Sequence, residues 1–121
     1  MITVNTHIHW MVELKIKPDQ DENLRTLVQA MVEAVYTNES GALAYAYYIS
    51  SDHTCHLFER YVDDAATMAH LDAFSRVFAD RFGQIFQPLR FVVYGLPSAA
   101  VRSALTGFNP VYMETVGGFR R

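Results

Sequence analysis

Only one of the 121 residues is a cysteine, Cys55, so the chain cannot close an internal disulfide. A lone thiol suits a reducing compartment and reads as a small buried hydrophobe. Positive charge is also scarce: ten Lys and Arg against thirteen Asp and Glu leave a net charge of −3. That balance offers no basic field to phosphates, which argues against nucleic acid as a partner. No apolar run is long enough to cross a bilayer, and the N-terminal MITVNTHIHWMVELKIKPD carries no basic leader. The expectation is therefore a soluble, cytoplasmic protein without a membrane role. Neither a glycine-rich phosphate loop nor a serine-nucleophile motif occurs. His7 and His9 have the same-face spacing of two metal ligands, and His53, Cys55 and His56 cluster around a turn. Neither set brings the third and fourth ligands that a zinc site needs, so no metal is expected.

What the chain does have is apolar residues, half of the total, in periodic patterns. At this length they suffice for one domain with one core and a modest pocket. From Ile8 to Ile16 they alternate, the mark of a half-buried strand. Asp19 and Glu22 then form a candidate capping box before a helix whose Leu24, Leu27, Val28, Met31 and Val35 make one stripe. Asn38 and Gly41 close that helix. Two strands, Ala42 to Ile49 and about Thr54 to Val62, flank the turn-like Ser50-Ser51-Asp52-His53 and make a hairpin. Asp63 caps a second helical region that runs through Phe74, Val77, Phe78, Phe82, Ile85 and Phe86 to Pro88, and Leu89 to Leu96 follows as a fourth strand. The order is βαββαβ, so the expected class is α+β with a ferredoxin-like antiparallel sheet. Residues 1–97 form this domain, and 98–121 are an extension with a short helix capped by Ser98 and a strand from Val111.

Two helices can cover only one face of a four-stranded sheet, yet the second and fourth strands are apolar on both sides. The bare face calls for a partner, and an identical sheet gives a closed homodimer, with the tail packing at the interface and its strand joining the neighbour's edge.

The run Glu39-Ser-Gly41-Ala-Leu43-Ala-Tyr45, then Ser51-Asp52, Glu59-Arg-Tyr61, Asp63-Asp64-Ala65 and His70, set on this frame, resembles the antibiotic biosynthesis monooxygenase domain over residues 5 to about 96. The resemblance implies a dimeric α/β barrel and oxygenation without metal or flavin, on phenols, anthrones or quinols. The family also holds haem degraders and an isomerase. Haem degraders typically use an Asn, a Trp and a His in the cavity between helices and sheet. Here Asn5 and Trp10 lie on or before the first strand and the second helical region has no Trp, which counts against haem. Many quinol-type relatives carry a second histidine five residues after the first, where this chain has Ser75.

On that frame His70 would sit in the helical layer facing the sheet, as the candidate base. An imidazole titrates close to working pH and can take a proton from an acidic phenol or quinol. Glu59 and Tyr61 share one side of a strand. The charge of Glu59 needs a partner, and Arg90 on the fourth strand is the expected one, with Arg60 of a partner subunit as the alternative. Tyr45, Tyr47, Tyr61, Phe74 and Phe78 are the expected walls for a small apolar or aromatic ligand, although the same residues also suit plain core. Three functions remain open: a cofactor-free monooxygenase, a non-oxidative enzyme of isomerase type using the same base, and a non-catalytic binding or structural dimer.

Overall fold

The structure is a computed structural model that describes residues 5–121; the first four residues of the N-terminal segment lie outside it. The elements run β1 (Ile8–Ile16), α1 (Asp21–Asn38), β2 (Ala42–Ile49), β3 (Thr54–Tyr61), α2 (Asp64–Val77), α3 (Ala79–Ile85), β4 (Phe86–Tyr94), α4 (Ala99–Leu105), a 3-10 turn and β5 (Val111–Met113). The class is α+β, and the sheet order β2-β3-β1-β4-β5 is the ferredoxin-like arrangement with one added edge. Alternation along β1 buries Ile8, Trp10, Val12, Leu14 and Ile16 toward the helices. The stripe of α1 meets them through Leu24, Leu27, Met31 and Val35. Val101 and Leu105 of α4 join the same core, so all the helices lie on one face.

Three local expectations change. Asp19 takes a positive φ of 62° and α1 starts two residues later behind Gln20, whose side chain makes no capping bond; the Asp19–Glu22 capping box does not form. The second helical region breaks at Phe78 into α2 and α3, and β4 begins at Phe86 rather than Leu89. Pro88 therefore lies inside a strand, at the shift of register opposite Glu13 and Leu14, where a missing N–H is tolerated. β5 pairs in parallel with β4 of its own chain, Val92 opposite Val111 and Tyr94 opposite Met113.

Among the described residues no helix covers the opposite face of the sheet. Tyr48 and Phe58 meet there edge to face, and both are exposed, as are Val111 and Met113 along the β5 edge.

One close approach sets the height of α2 above the sheet. A Cβ on Gly41 would lie 2.5 Å from the Ala66 Cβ, so only glycine lets the start of β2 pass under the helix. Asp63 fixes the helix start by accepting from the Ala66 N–H at 2.8 Å. Thr67, His70 and Phe74 then fall on the inward face at helical spacing.

Candidate active site

Between the helices and the sheet lies a cavity of about 300 Å³. Its walls are almost wholly apolar: Val12, Leu57, Leu71, Phe74, Phe82, Phe86, Phe91 and Phe108 line it together with Trp10 and Tyr45. Two ionisable side chains reach it, Glu59 from β3 and His70 from α2.

Period-two alternation points Glu59 and Tyr61 into the helix-covered side, where both are buried. Glu59 stands opposite Trp10 of β1 and Tyr45 of β2 in the ladder. That register brings the indole of Trp10 to the carboxylate, and its Nε1–H donates to Oε2 at 2.5 Å. The Tyr61 hydroxyl donates to Oε1 at 2.5 Å. From above, His70 Nε2 lies 2.9 Å from the same Oε1. The other ring nitrogen, Nδ1, lies 2.9 Å from Oε1 of Glu39, the residue that follows α1. One imidazole is thus held between two carboxylates, with the tyrosine rings of Tyr61 and Tyr45 packed at 5.0 and 5.5 Å.

Proton counting gives the state of this trio. Each histidine–carboxylate contact needs one proton, so the two contacts hold two protons among three groups and the trio carries net charge −1. Burial alone would lower the His70 pKa, but the hydrogen bond and charge of Glu59, and then those of Glu39, outweigh it and raise the value above the ordinary one. A ring protonated at both nitrogens would donate to both carboxylates. Burial first, and the charge of Glu59 next, push the Tyr45 and Tyr61 hydroxyls up, so both stay neutral.

The expected partner of Glu59 is corrected here. Arg90 stands opposite Glu13, with β1 between its strand and β3, and this pair points to the bare face. Arg60, next to Glu59, also faces away and donates to Nδ1 of His7 at 3.0 Å. The counter-charge comes from His70. Of the expected ligand walls, Tyr45 and Phe74 line the cavity, whereas Tyr47, Tyr61 and Phe78 do not. Tyr47 is engaged with the Tyr45 hydroxyl at 2.8 Å, Tyr61 lies behind Glu59, and Phe78 sits at the joint of α2 and α3.

Two residues of the cluster escape a reading of sequence alone. Trp10 looks remote because it lies far from His70 along the chain, but the β1–β3 register places it beside the Glu59–His70 pair. Glu39 lies inside the Glu39-Ser-Gly41 run, and only the close approach at Gly41 reveals that it reaches His70. Among the described residues no group of three His, Cys, Asp or Glu side chains is disposed to hold a metal ion, and burial, followed by the charges of Arg60 and Arg120, lowers His9 to about 4.

The sequence matches the family model of the antibiotic biosynthesis monooxygenases over residues 7–87. No curated protein matches the sequence. Among solved structures, MupZ from Pseudomonas fluorescens is similar at TM-score 0.85 with 20% identity, over 97% of this chain and 96% of that one. Rv0793 from Mycobacterium tuberculosis is similar at 0.57 with 26% identity, over 77% of this chain and 98% of that one. SO0527 from Shewanella oneidensis is similar at 0.60 with 22% identity, over 75% and 90%. With MupZ the likeness extends through the tail, so α4 and β5 belong to a fold that another protein shares. With the family model covering well over half of the sequence, from the first strand to the start of the fourth, the chain belongs to the antibiotic biosynthesis monooxygenase family.

Proposed function

We propose that the protein is a cofactor-free monooxygenase acting on an electron-rich aromatic such as an anthrone, phenol or quinol, with Glu59 as its base. The observation that carries this reading is the position of Glu59. It is a carboxyl group at the polar end of an otherwise apolar cavity, and its second oxygen, Oε2, accepts only from Trp10 among the described residues. That leaves Oε2 acceptor capacity for a substrate proton. In this reading His70, protonated at both nitrogens, supplies charge rather than basicity; the raised pKa that its two carboxylate neighbours give it supports this.

An anthrone-like methylene illustrates the balance. Glu59 takes one C–H proton, and the resulting carbanion passes an electron to dioxygen. The two radicals combine into a C–O bond, and the peroxide anion recovers the proton from Glu59. Glu59 then takes the second C–H proton as the O–O bond breaks, and the departing hydroxide receives it as water, leaving a carbonyl. One dioxygen thus gives one carbonyl oxygen and one water, and Glu59 ends as it began. The dry walls and the adjacent imidazolium favour the developing anion.

A second reading is supported by the same pairing of base and cation. A group that removes a proton next to a fixed imidazolium can stabilise an enolate and return the proton elsewhere, which is the chemistry of a non-oxidative isomerase. An oxygen electrode distinguishes the two. Wild type and Glu59→Gln are presented with anthrone, naphthoquinol and phenol panels in air. Oxygen uptake by wild type, lost by about a hundredfold or more in the variant, supports the oxygenase. Exchange of a substrate C–H for deuterium without oxygen uptake supports the isomerase. Unchanged uptake by Glu59→Gln overturns Glu59 as the base.

A further inference from the structure

We propose that Glu39 is a positioning residue that holds His70 as a cation, and that it thereby governs how Glu59 behaves in the cavity. The proposal rests on the reading of Glu59 as the base.

The geometry begins with the ring. A neutral imidazole has one N–H and one lone pair, so it can satisfy one carboxylate but must turn its lone pair against the other. Here both nitrogens stand 2.9 Å from a carboxylate oxygen, Nδ1 from Glu39 and Nε2 from Glu59. Between two ionised carboxylates, only the doubly protonated ring meets both. The groups facing it from the packed elements are Glu39 after α1, Glu59 and Tyr61 from β3, and Tyr45 from β2. Among the described residues no Lys or Arg forms an ion pair with either carboxylate. Burial works against the charge on His70, and one carboxylate must offset that penalty unaided if the other is removed.

The two carboxylates are not equivalent. Glu59 lines the cavity and accepts three hydrogen bonds, whereas Glu39 does not line it and bonds to His70 from the far side. Glu39 therefore acts on the ligand only through His70. The arrangement separates two tasks, since the outer carboxylate fixes the charge and tautomer of the ring and the inner one meets the substrate. The substitution Glu39→Gln would end that division gently, because the amide it introduces can donate to Nδ1 and leave a neutral ring still donating from Nε2 to Glu59.

The test is a titration of the His70 ring by nitrogen-15 NMR between pH 5 and 9, in wild type and Glu39→Gln. Wild type should stay doubly protonated at pH 7. In Glu39→Gln the midpoint should fall by about one pH unit or more, a tenfold loss of proton affinity, giving a neutral Nε2–H ring at about pH 7.5. On a substrate that wild type turns over, Glu39→Gln should lower kcat, leave KM nearly unchanged and move the alkaline limb of the pH–rate profile to lower pH, where the ring now loses its proton. Glu39→Gln that titrates like wild type overturns the proposal. If Glu39→Gln does not fold, wild type decides alone, since a neutral His70 at pH 7 overturns the proposal and a doubly protonated ring supports it. Failure of the two readings is distinguishable. Full activity in Glu59→Gln removes the base while the titration still judges Glu39, and an inactive Glu59→Gln beside an unshifted Glu39→Gln removes only Glu39.

Discussion

Replacing His70 by Ala should make the protein unfold more readily, although the ring is small, because its nearest neighbours are two carboxylates. The substitution removes the cation shared by Glu39 and Glu59 and leaves two carboxylates facing a space with no counter-charge. Breaking a buried ion pair by deleting one partner costs roughly 3–5 kcal/mol. For a domain of this size that is on the order of 10–25 °C in melting temperature. The dependence on pH gives a second, independent signature. Because folding raises the pKa of His70, its stabilising contribution is fully present below the unfolded value of 6.5 and is lost as pH rises through the folded one. Wild type should therefore lose stability above neutrality, and His70→Ala should lack that decline. Circular-dichroism melts at intervals between pH 5 and 9 measure both effects. A variant that melts within a few degrees of wild type, with the same slope against pH, would refute the ion-pair account.

Other substitutions probe the neighbours. Trp10→Phe keeps a ring in the core but removes the donor to Glu59 Oε2, and should cost about 1.5–3 kcal/mol, the range for hydrogen bonds to a charged group, in a urea melt. Gly41→Ala places a Cβ 2.5 Å from the Ala66 Cβ and should push α2 off the sheet, costing about 1–3 kcal/mol and lowering activity, because α2 carries His70. The bare face, with Tyr48 and Phe58 exposed, should be covered by a second copy: light scattering at micromolar concentration should give a homodimer, and Phe58→Glu should give a monomer.

Much of the frame was legible because the sheet imposes a strict period. Alternation along Ile8–Ile16 gave both the strand and its buried face, and the hairpin followed from the polar cluster between two apolar runs. The break at Phe78 was not legible, since the phenylalanines before and after it keep helical spacing while the backbone changes direction. Pro88 misled the placement of β4, because a proline normally marks a boundary and here it occupies a shift of register. In the site, His70 was legible as an inward-facing histidine and Glu59 as a carboxylate needing a cation. The cation was misassigned to Arg90 because chain order suggests that the fourth strand neighbours the third. In a βαββαβ sheet β1 lies between them, and the odd-numbered and even-numbered positions of each strand then decide the face.

That misassignment bears on chemistry. An arginine partner would have left Glu59 in a permanent ion pair and His70 free to act as the base. In the proposed reaction, with His70 as the partner, the roles exchange: the histidine serves as counter-ion, and the carboxylate is the group with acceptor capacity facing the ligand. A guanidinium holds its charge at any working pH, whereas an imidazolium keeps its charge here only while two anions surround it. On the proposed reading, the charge beside Glu59 depends on a residue outside the cavity, Glu39, which lies just before the close approach of Gly41 to Ala66. Changes at the end of α1 or the start of β2 should consequently alter the pH at which the site works without touching its walls.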